Sequence, residues 1–220
     1  MTSRRTDSPY RDRAQAGEEL ARALAGYGGR SDLSILALPR GGVPVAFEIA
    51  RALHAPLDVY LVRKLGAPGE EELAIGAVAS GGVRVLNADI VRQLGVPDEW
   101  IASVSRKEIS ELDRRQRLYR QGRGPLEVAG RIAILVDDGL ATGATMKAAI
   151  ASLRQLQPAE IVVSVPVAAR STAREIAALA DRFVCPLQPE GFRAVGEWYV
   201  EFPQTSDEEV TDFIDRSSRR

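Results

Sequence analysis

The chain has 220 residues, 29 basic and 30 acidic side chains and a net charge of −1, with 45% apolar and 27% charged residues. This composition excludes a disordered chain or a membrane protein, and the longest apolar runs are well short of the roughly 18 residues of a membrane span. A single histidine (His54) and a single cysteine (Cys185) exclude an intrachain disulfide and a zinc centre of Cys/His type. Any chemistry must therefore rest on carboxylates, backbone amides, Arg and Lys. The charged start, MTSRRTDSPYRDR, has no apolar core of the secretory kind, so a cytoplasmic protein is expected.

After this polar arm, residues 14–26 carry Leu20 and Leu24 at helical spacing and end at Gly28-Gly29. Residues 34–38 (SILAL) form a short apolar strand that breaks into Pro39-Arg40-Gly41-Gly42, and a helix follows over Val45 to Leu53. His54, just after it, reads as a solvated helix end rather than a member of a catalytic triad. Residues 57–62 (LDVYLV) read as one strand, and Arg63-Lys64-Leu65-Gly66-Ala67-Pro68-Gly69 as a loop. Two strands, 72–79 and 82–86, are joined by Ser80-Gly81, and a long helical stretch runs from about 88 to 121, punctuated near Gly95–Asp98.

The second half repeats the alternation. Residues 131–136 (RIAILV) form a strongly apolar strand, and the helix behind it spans Met146 to Leu156. A strand at 160–168 precedes a helix at 171–180 with Ser171 as expected N-cap, and RFVCPL closes the sheet with Cys185 as a small buried hydrophobe. The tail holds Phe192, Trp198 and Tyr199 and ends in a helix opened by Ser206-Asp207-Glu208-Glu209, a capping-box pattern. Strands alternating with helices imply an α/β fold, a mostly parallel twisted sheet flanked by helices, in one domain with a C-terminal appendage.

Chemistry concentrates in residues 132–145, I-A-I-L-V-D-D-G-L-A-T-G-A-T. A buried strand delivers Asp137 and Asp138 to its C-terminal edge, where open parallel sheets bind ligands. The turn Ala141-Thr142-Gly143-Ala144-Thr145 then opens a helix, whose free N–H groups and two Thr hydroxyls suit a phosphate monoester. Two carboxylates one short turn away suit a vicinal diol. Phosphate at one end and diol at the other describe a ribose 5-phosphate. There is no G-x-x-x-x-G-K-[ST] and no G-x-G-x-x-G.

The stretch VDDGLATGAT resembles the 5-phosphoribosyl 1-pyrophosphate (PRPP) signature of type I phosphoribosyltransferases. Two further segments match in the same order. Leu38-Pro39-Arg40-Gly41-Gly42 stands in the place of that family's pyrophosphate loop, where a non-proline cis peptide is frequent; Pro39–Arg40 is the bond to inspect. Arg63-Lys64, with the Gly/Pro segment behind it, resembles the flexible catalytic loop of the adenine-specific members. The resemblance, closest to bacterial phosphoribosyltransferases of unassigned acceptor, covers residues 14 to about 190. It implies one phosphoribosyltransferase domain over 1–220 with a flexible loop at about 64–76 and a small hood at about 186–220.

The resemblance also implies roles. Ala141 to Thr145 would hold the 5-phosphate, Asp137 and Asp138 the ribose hydroxyls, and Arg40, Gly41, Gly42, Arg63 and Lys64 the pyrophosphate. Asp137, Asp138, Arg63 and Lys64 are the candidate catalytic residues, with Mg²⁺ carried by PRPP oxygens and water rather than by the protein. Phe192, Trp198 and Tyr199 are weaker candidates for acceptor binding, either as stacking surfaces or as packing under the hood. The implied assembly is a homodimer acting on small molecules, without membrane or nucleic-acid partners.

Departures from the family affect the acceptor. Hypoxanthine-type members carry an acidic residue where Ala141 stands, and adenine-type members carry L-E-Y-G where this chain reads Leu73-Ala74-Ile75-Gly76. Glu70, Glu71 or Glu72 could supply a base, although three acids in a row commonly form a solvated face. A PRPP-binding regulator without turnover and a ribose-phosphate hydrolase of the same fold remain alternatives. Ser105 to Arg123 holds seven basic and three acidic residues, read as a solvated helix or a dimer contact.

Overall fold

A computed structural model describes residues 9–218, and within them the apolar runs of the sequence become the centre of the fold. β1 (Leu33–Ala37) and β6 (Ile132–Val136) are buried at every position. They pair in parallel with Ala37 opposite Val136, and β2 (Leu57–Val59), β7 (Glu160–Ser164) and β8 (Arg182–Val184) extend the sheet in the order β2-β1-β6-β7-β8. Strands covered on both faces need apolar side chains at odd and even positions alike. Leu33, Ile35, Ile132 and Ile134 face one core; Leu36, Ala133 and Leu135 face the other.

The first core is closed by α1 (Arg13–Ala23), α2 (Gly42–Leu53), α4 (Asp98–Arg120) and α7 (Asp207–Ser218). The second is closed by α5 (Ala144–Arg154) and α6 (Arg170–Leu179). A short α3 (Ala88–Leu94) directly precedes α4 in the chain. The expected α/β class, with a mostly parallel sheet flanked by helices, is what the chain adopts. Because the chain moves from β1 outward to β2 and re-enters at β6, the strand order reverses between β1 and β6. That reversal point is where a parallel sheet opens a crevice at its C-terminal edge.

The largest departure lies between residues 57 and 86. LDVYLV is not one strand: β2 ends at Val59, and β3 (Val62–Ala67) belongs to a separate antiparallel sheet with β4 (Glu70–Ala79) and β5 (Val83–Leu86). Ser80 controls the crossing. Its hydroxyl accepts the Leu61 N–H at 3.0 Å and its N–H donates to Leu61 O at 2.9 Å, while Tyr60 N–H still reaches Ala37 O at 2.9 Å. The segment expected as a loop is therefore a hairpin turning at Pro68-Gly69, irregular in register on both sides of Gly66.

Smaller differences have local causes. Ala169, not Ser171, caps α6, and Ser171 lies inside the helix. Cys185 falls just past β8, partly buried, its thiol pushed up to about 12 by burial. The capping box at α7 is formed, with Ser206 N–H donating to Glu209 at 2.7 Å and Glu209 N–H to Ser206 Oγ at 3.2 Å. His54 is the exposed, left-handed end of α2. In the basic stretch, Arg114 and Arg115 pair with Glu111, and the buried Arg120 pairs with Asp58 at 2.8 Å. No described helix is long and apolar enough to cross a membrane.

Candidate active site

Two turns meet at the switch point. The β1–α2 turn, Leu38–Gly41, contains a cis bond between Pro39 and Arg40, at the position the sequence singled out. Leu38 N–H donates to Val136 O at 2.9 Å, which ties this turn to the end of β6. Contact is close enough to dictate residue type. A Cβ at Gly41 would lie 2.0 Å from Asp138 Oδ2, and one at Gly42 would lie 2.6 Å from Val136 O and 2.9 Å from Asp137 Cα. The paired glycines are thus the condition for bringing a bare backbone against the acidic pair.

Asp137 and Asp138 are both partly buried, and Asp138 N–H donates to Asp137 Oδ1 at 2.9 Å. Burial, then the neighbouring Asp138, pushes the Asp137 carboxyl well above its usual range. Burial also raises Asp138, but Arg13 opposes that rise. Arg13 donates from Nε to Asp138 Oδ2 at 2.9 Å, with Nη2 2.8 Å from the same oxygen.

Beyond the acids, Leu140 is anchored between β-segments by Leu140 N–H to Val167 O at 2.9 Å and Ala169 N–H to Leu140 O at 3.0 Å. Thr172 Oγ1 donates to Ala141 O at 2.5 Å. Gly143 has φ +69° and caps α5 without a side-chain hydrogen bond. Ala141, Thr142 and Thr145 are exposed around this helix start, where the first-turn N–H groups have no intrahelical acceptor. Ala144 N–H reaches Thr142 Oγ1 at 3.5 Å, the long limit of a hydrogen bond.

The cations lie on the other side. Arg63 joins Leu38, Pro39, Arg115 and Thr145 around a small hollow of about 30 Å³, so β3 brings one hairpin cation beside both turns. It is also fixed to Glu108 of α4 at 2.6 Å. Lys64 instead lines an outer cleft of about 320 Å³ with Arg63, Trp100 and Lys107. Arg40 lies 3.6 Å from Asp207, which also accepts the Tyr119 hydroxyl at 2.5 Å. Glu70 is exposed beside the hairpin turn; the side chains of Glu71 and Glu72 lie outside the described residues.

The tail forms a small third cluster in which Tyr10, Ala16, Val167, Leu187 and Tyr199 are buried and Phe192, Val195 and Trp198 pack against them. Tyr199 is a packed ring whose hydroxyl donates to the backbone carbonyl of Asp138 at 2.6 Å. A second aromatic, Phe202, which the sequence did not single out, covers the Arg13 that holds Asp138. Its ring stacks on Tyr199 at 4.9 Å and carries the Arg13 guanidinium 3.8 Å from its centre. Arg13 and Arg115 were likewise missed as site residues. Arg13 sits 125 positions from its partner, with no local pattern to announce it.

A parallel sheet whose β1 and β6 turns converge at the switch point, with a tail folded over that edge, is the architecture of a type I phosphoribosyltransferase. The chain belongs to that family: residues 10–195 match the phosphoribosyl transferase domain. Two Mycobacterium tuberculosis proteins, named "Putative phosphoribosyl transferase Rv0571c" and "Putative phosphoribosyl transferase MT0597", are each 48% identical over 210 residues. The match covers 96% of this chain and 47% of theirs, so the chain spans about half the length of these relatives. The solved structure of TT1426 from Thermus thermophilus superposes with a TM-score of 0.85 at 42% identity, covering 94% of this chain and 97% of that one.

Proposed function

We propose that the chain transfers a 5-phosphoribosyl group from PRPP to a nitrogen of a heterocyclic acceptor, releasing pyrophosphate. The observation that carries this reading is the contact between the two turns: Gly41 lies against Asp138, so groups for pyrophosphate and for sugar share one edge. Thr142 to Thr145 hold the 5-phosphate through the α5 start, and Asp137 and Asp138 accept the ribose hydroxyls. Arg40, the Gly41 and Gly42 backbone and Arg63 face the pyrophosphate. Lys64, in the outer cleft, reaches it if the hairpin closes.

In the reaction the C1′–O bond breaks with its electron pair leaving on pyrophosphate, and a C1′–N bond forms. The acceptor nitrogen loses its proton to a base or to water. Negative charge grows on the leaving group, so fixed N–H donors and guanidinium groups there lower the barrier, while the opposite wall holds sugar and phosphate still. No histidine or cysteine is needed.

Mg²⁺ fits this edge as a cation brought in by the substrate. Among the described residues no group of three or more carboxylate, imidazole or thiol side chains converges to cage a metal. Asp138 Oδ2 is already taken by Arg13. When bound, Mg²⁺ would take its oxygen ligands from PRPP and water and would supply neutralisation of the pyrophosphate charge.

Calorimetry with Mg-PRPP tests the binding half; absence of binding sinks every PRPP reading. Incubating PRPP with a panel of heterocyclic bases and following pyrophosphate tests transfer. One feature favours the second reading, a PRPP sensor: Ala141 and Ala74 stand where the hypoxanthine-type and adenine-type members of the resembled family, respectively, carry acids. Binding without pyrophosphate release in any mixture would select it, and release without an acceptor would select a hydrolase. The reading includes a homodimer in the cytoplasm, for which light scattering checks the mass in solution.

A further inference from the structure

Asp138 is gripped from behind by two segments that are remote from it in sequence. Arg13 opens α1 and spends both Nε and Nη2 on Asp138 Oδ2, while its Nη1 donates to Pro203 O at 2.7 Å. The pair is shielded, with side chains 10% and 15% exposed. Phe202 covers the guanidinium, Tyr199 stacks on Phe202, and the Tyr199 hydroxyl returns to the Asp138 carbonyl. The tail is itself bound to the N-terminal arm, through Tyr10 N–H to Trp198 O and Val200 N–H to Tyr10 O, both at 2.8 Å. One residue of the sheet edge is thus fixed at its side chain by the arm and at its backbone by the tail. Among the described residues no side chain hydrogen-bonds Oδ1.

We propose that Arg13 is a positioning residue for sugar binding: by occupying Oδ2 it holds Asp138 as an anion in one orientation, with Oδ1 presented to a ligand hydroxyl. It follows that the edge is competent only while arm and tail are docked on each other. This rests on the reading that the acidic pair takes the ribose diol. A plain structural tie between arm and core would use the same ion pair, so the test must read the state of the carboxyl rather than stability.

The ionisable groups facing Asp138 are Asp137 beside it, Arg13 from α1 and Tyr199 from the tail, while the β1–α2 turn meets it with the Gly41 backbone. With Arg13 gone, burial favours the protonated form, and the backbone hydrogen bond at Asp138 itself is what remains to oppose it. The midpoint of Asp138 must then rise, and a site that needs its anion must weaken as pH falls through that higher midpoint.

The experiment compares wild type, Arg13→Gln and Arg13→Lys. Carbon-detected NMR follows the Asp138 carboxyl, and calorimetry follows Mg-PRPP from about pH 5.5 to 8.5, a window around neutrality where carboxyls raised by burial titrate. Arg13→Gln is expected to raise the Asp138 midpoint and to weaken Mg-PRPP about tenfold to a hundredfold at neutral pH, with part of the loss recovered at the alkaline end. Arg13→Lys keeps the charge and should recover much of the affinity; it also carries the test if the glutamine variant does not fold. An unchanged Asp138 midpoint overturns the proposal, as does a pH-independent loss that lysine does not rescue. Failure of the wild-type chain to bind Mg-PRPP would instead sink the diol reading, and the role of Arg13 in sugar binding with it; the carboxyl titration keeps these two failures apart.

Discussion

The two walls of the site are built on different principles. The β6 wall, Asp137 to Thr145, grows from a strand buried on both faces and is pinned by backbone bonds to β1 and to the β7–α6 connection. Its chemistry is main-chain N–H groups and carboxylates held by what packs behind them. The β3–β4 wall is a hairpin outside the parallel sheet, with broken register at Gly66 and its cations carried on long side chains. A wall that must keep a phosphate and a diol still gains from rigidity. A wall that must follow a departing pyrophosphate can tolerate a weaker frame, and Arg63 reaches both the inner hollow and the outer cleft.

The sharpest way to break the contrast is to disturb the rigid wall by one carbon. Gly41→Ala places a Cβ 2.0 Å from Asp138 Oδ2. Mg-PRPP affinity should fall by more than about a hundredfold, and stability by about 1–3 kcal/mol, since the carboxyl that must move aside is tied to Arg13. Calorimetry and thermal denaturation check both. Asp138→Asn comes next: it removes the anion and leaves the shielded Arg13 without a charged partner. Binding should drop about tenfold to a hundredfold together with a measurable loss of stability.

On the hairpin the expected signature is different. Arg63→Ala removes a pair whose arginine side is about one-third exposed but whose Glu108 carboxylate is buried, so stability should fall by about 1–2 kcal/mol, with the backbone of the hairpin undisturbed. If Arg63 works on the leaving group, turnover falls about tenfold to a hundredfold while Mg-PRPP affinity changes little. A loss of affinity with turnover unchanged would place Arg63 in ground-state binding and erase the distinction between the walls.

The acidic pair offers a finer test of the rigid wall. The Asp137 carboxyl is raised by burial and by Asp138, so between the ordinary carboxylate range and its raised midpoint the folded state binds more protons than the unfolded state. Stability contributed by this group therefore falls as pH rises through that window. Asp137→Asn should abolish the decline and raise stability at neutral pH by about 1 kcal/mol while weakening the substrate. Denaturant titrations at several pH values read the sign directly. A stability loss at neutral pH would mean that the carboxylate is better solvated than its burial implies.

How much of this was legible follows the same division. β1, β6 and β7 were readable because strands covered on both faces leave continuous apolar runs, and the acidic pair and T-G-A-T turn follow β6 without interruption. The hairpin was not. Val62–Ala67 puts Arg63, Lys64 and Gly66 into six residues, which breaks any alternation, and the exit from the first sheet depends on Ser80, nineteen positions away. Arg13 and Phe202 carry no local signal because they reach the site from opposite ends of the chain. Tyr199 was visible as a tail aromatic, but not its use of a hydroxyl to hold the Asp138 backbone.

The smallest expected effect separates the walls most cleanly. Glu70 begins β4, directly after the Pro68-Gly69 turn, and is exposed. If the hairpin keeps its tip in solvent, Glu70→Gln removes a hydrated charge that contacts no reacting atom. Turnover should then stay within about twofold, with the acidic limb of the pH–rate profile in place. If the tip folds over the sheet edge and Glu70 takes the acceptor proton, the same variant loses that limb and about a hundredfold or more in rate. The second result would make the hairpin the source of the base that Ala141 does not supply, joining the two walls in one step.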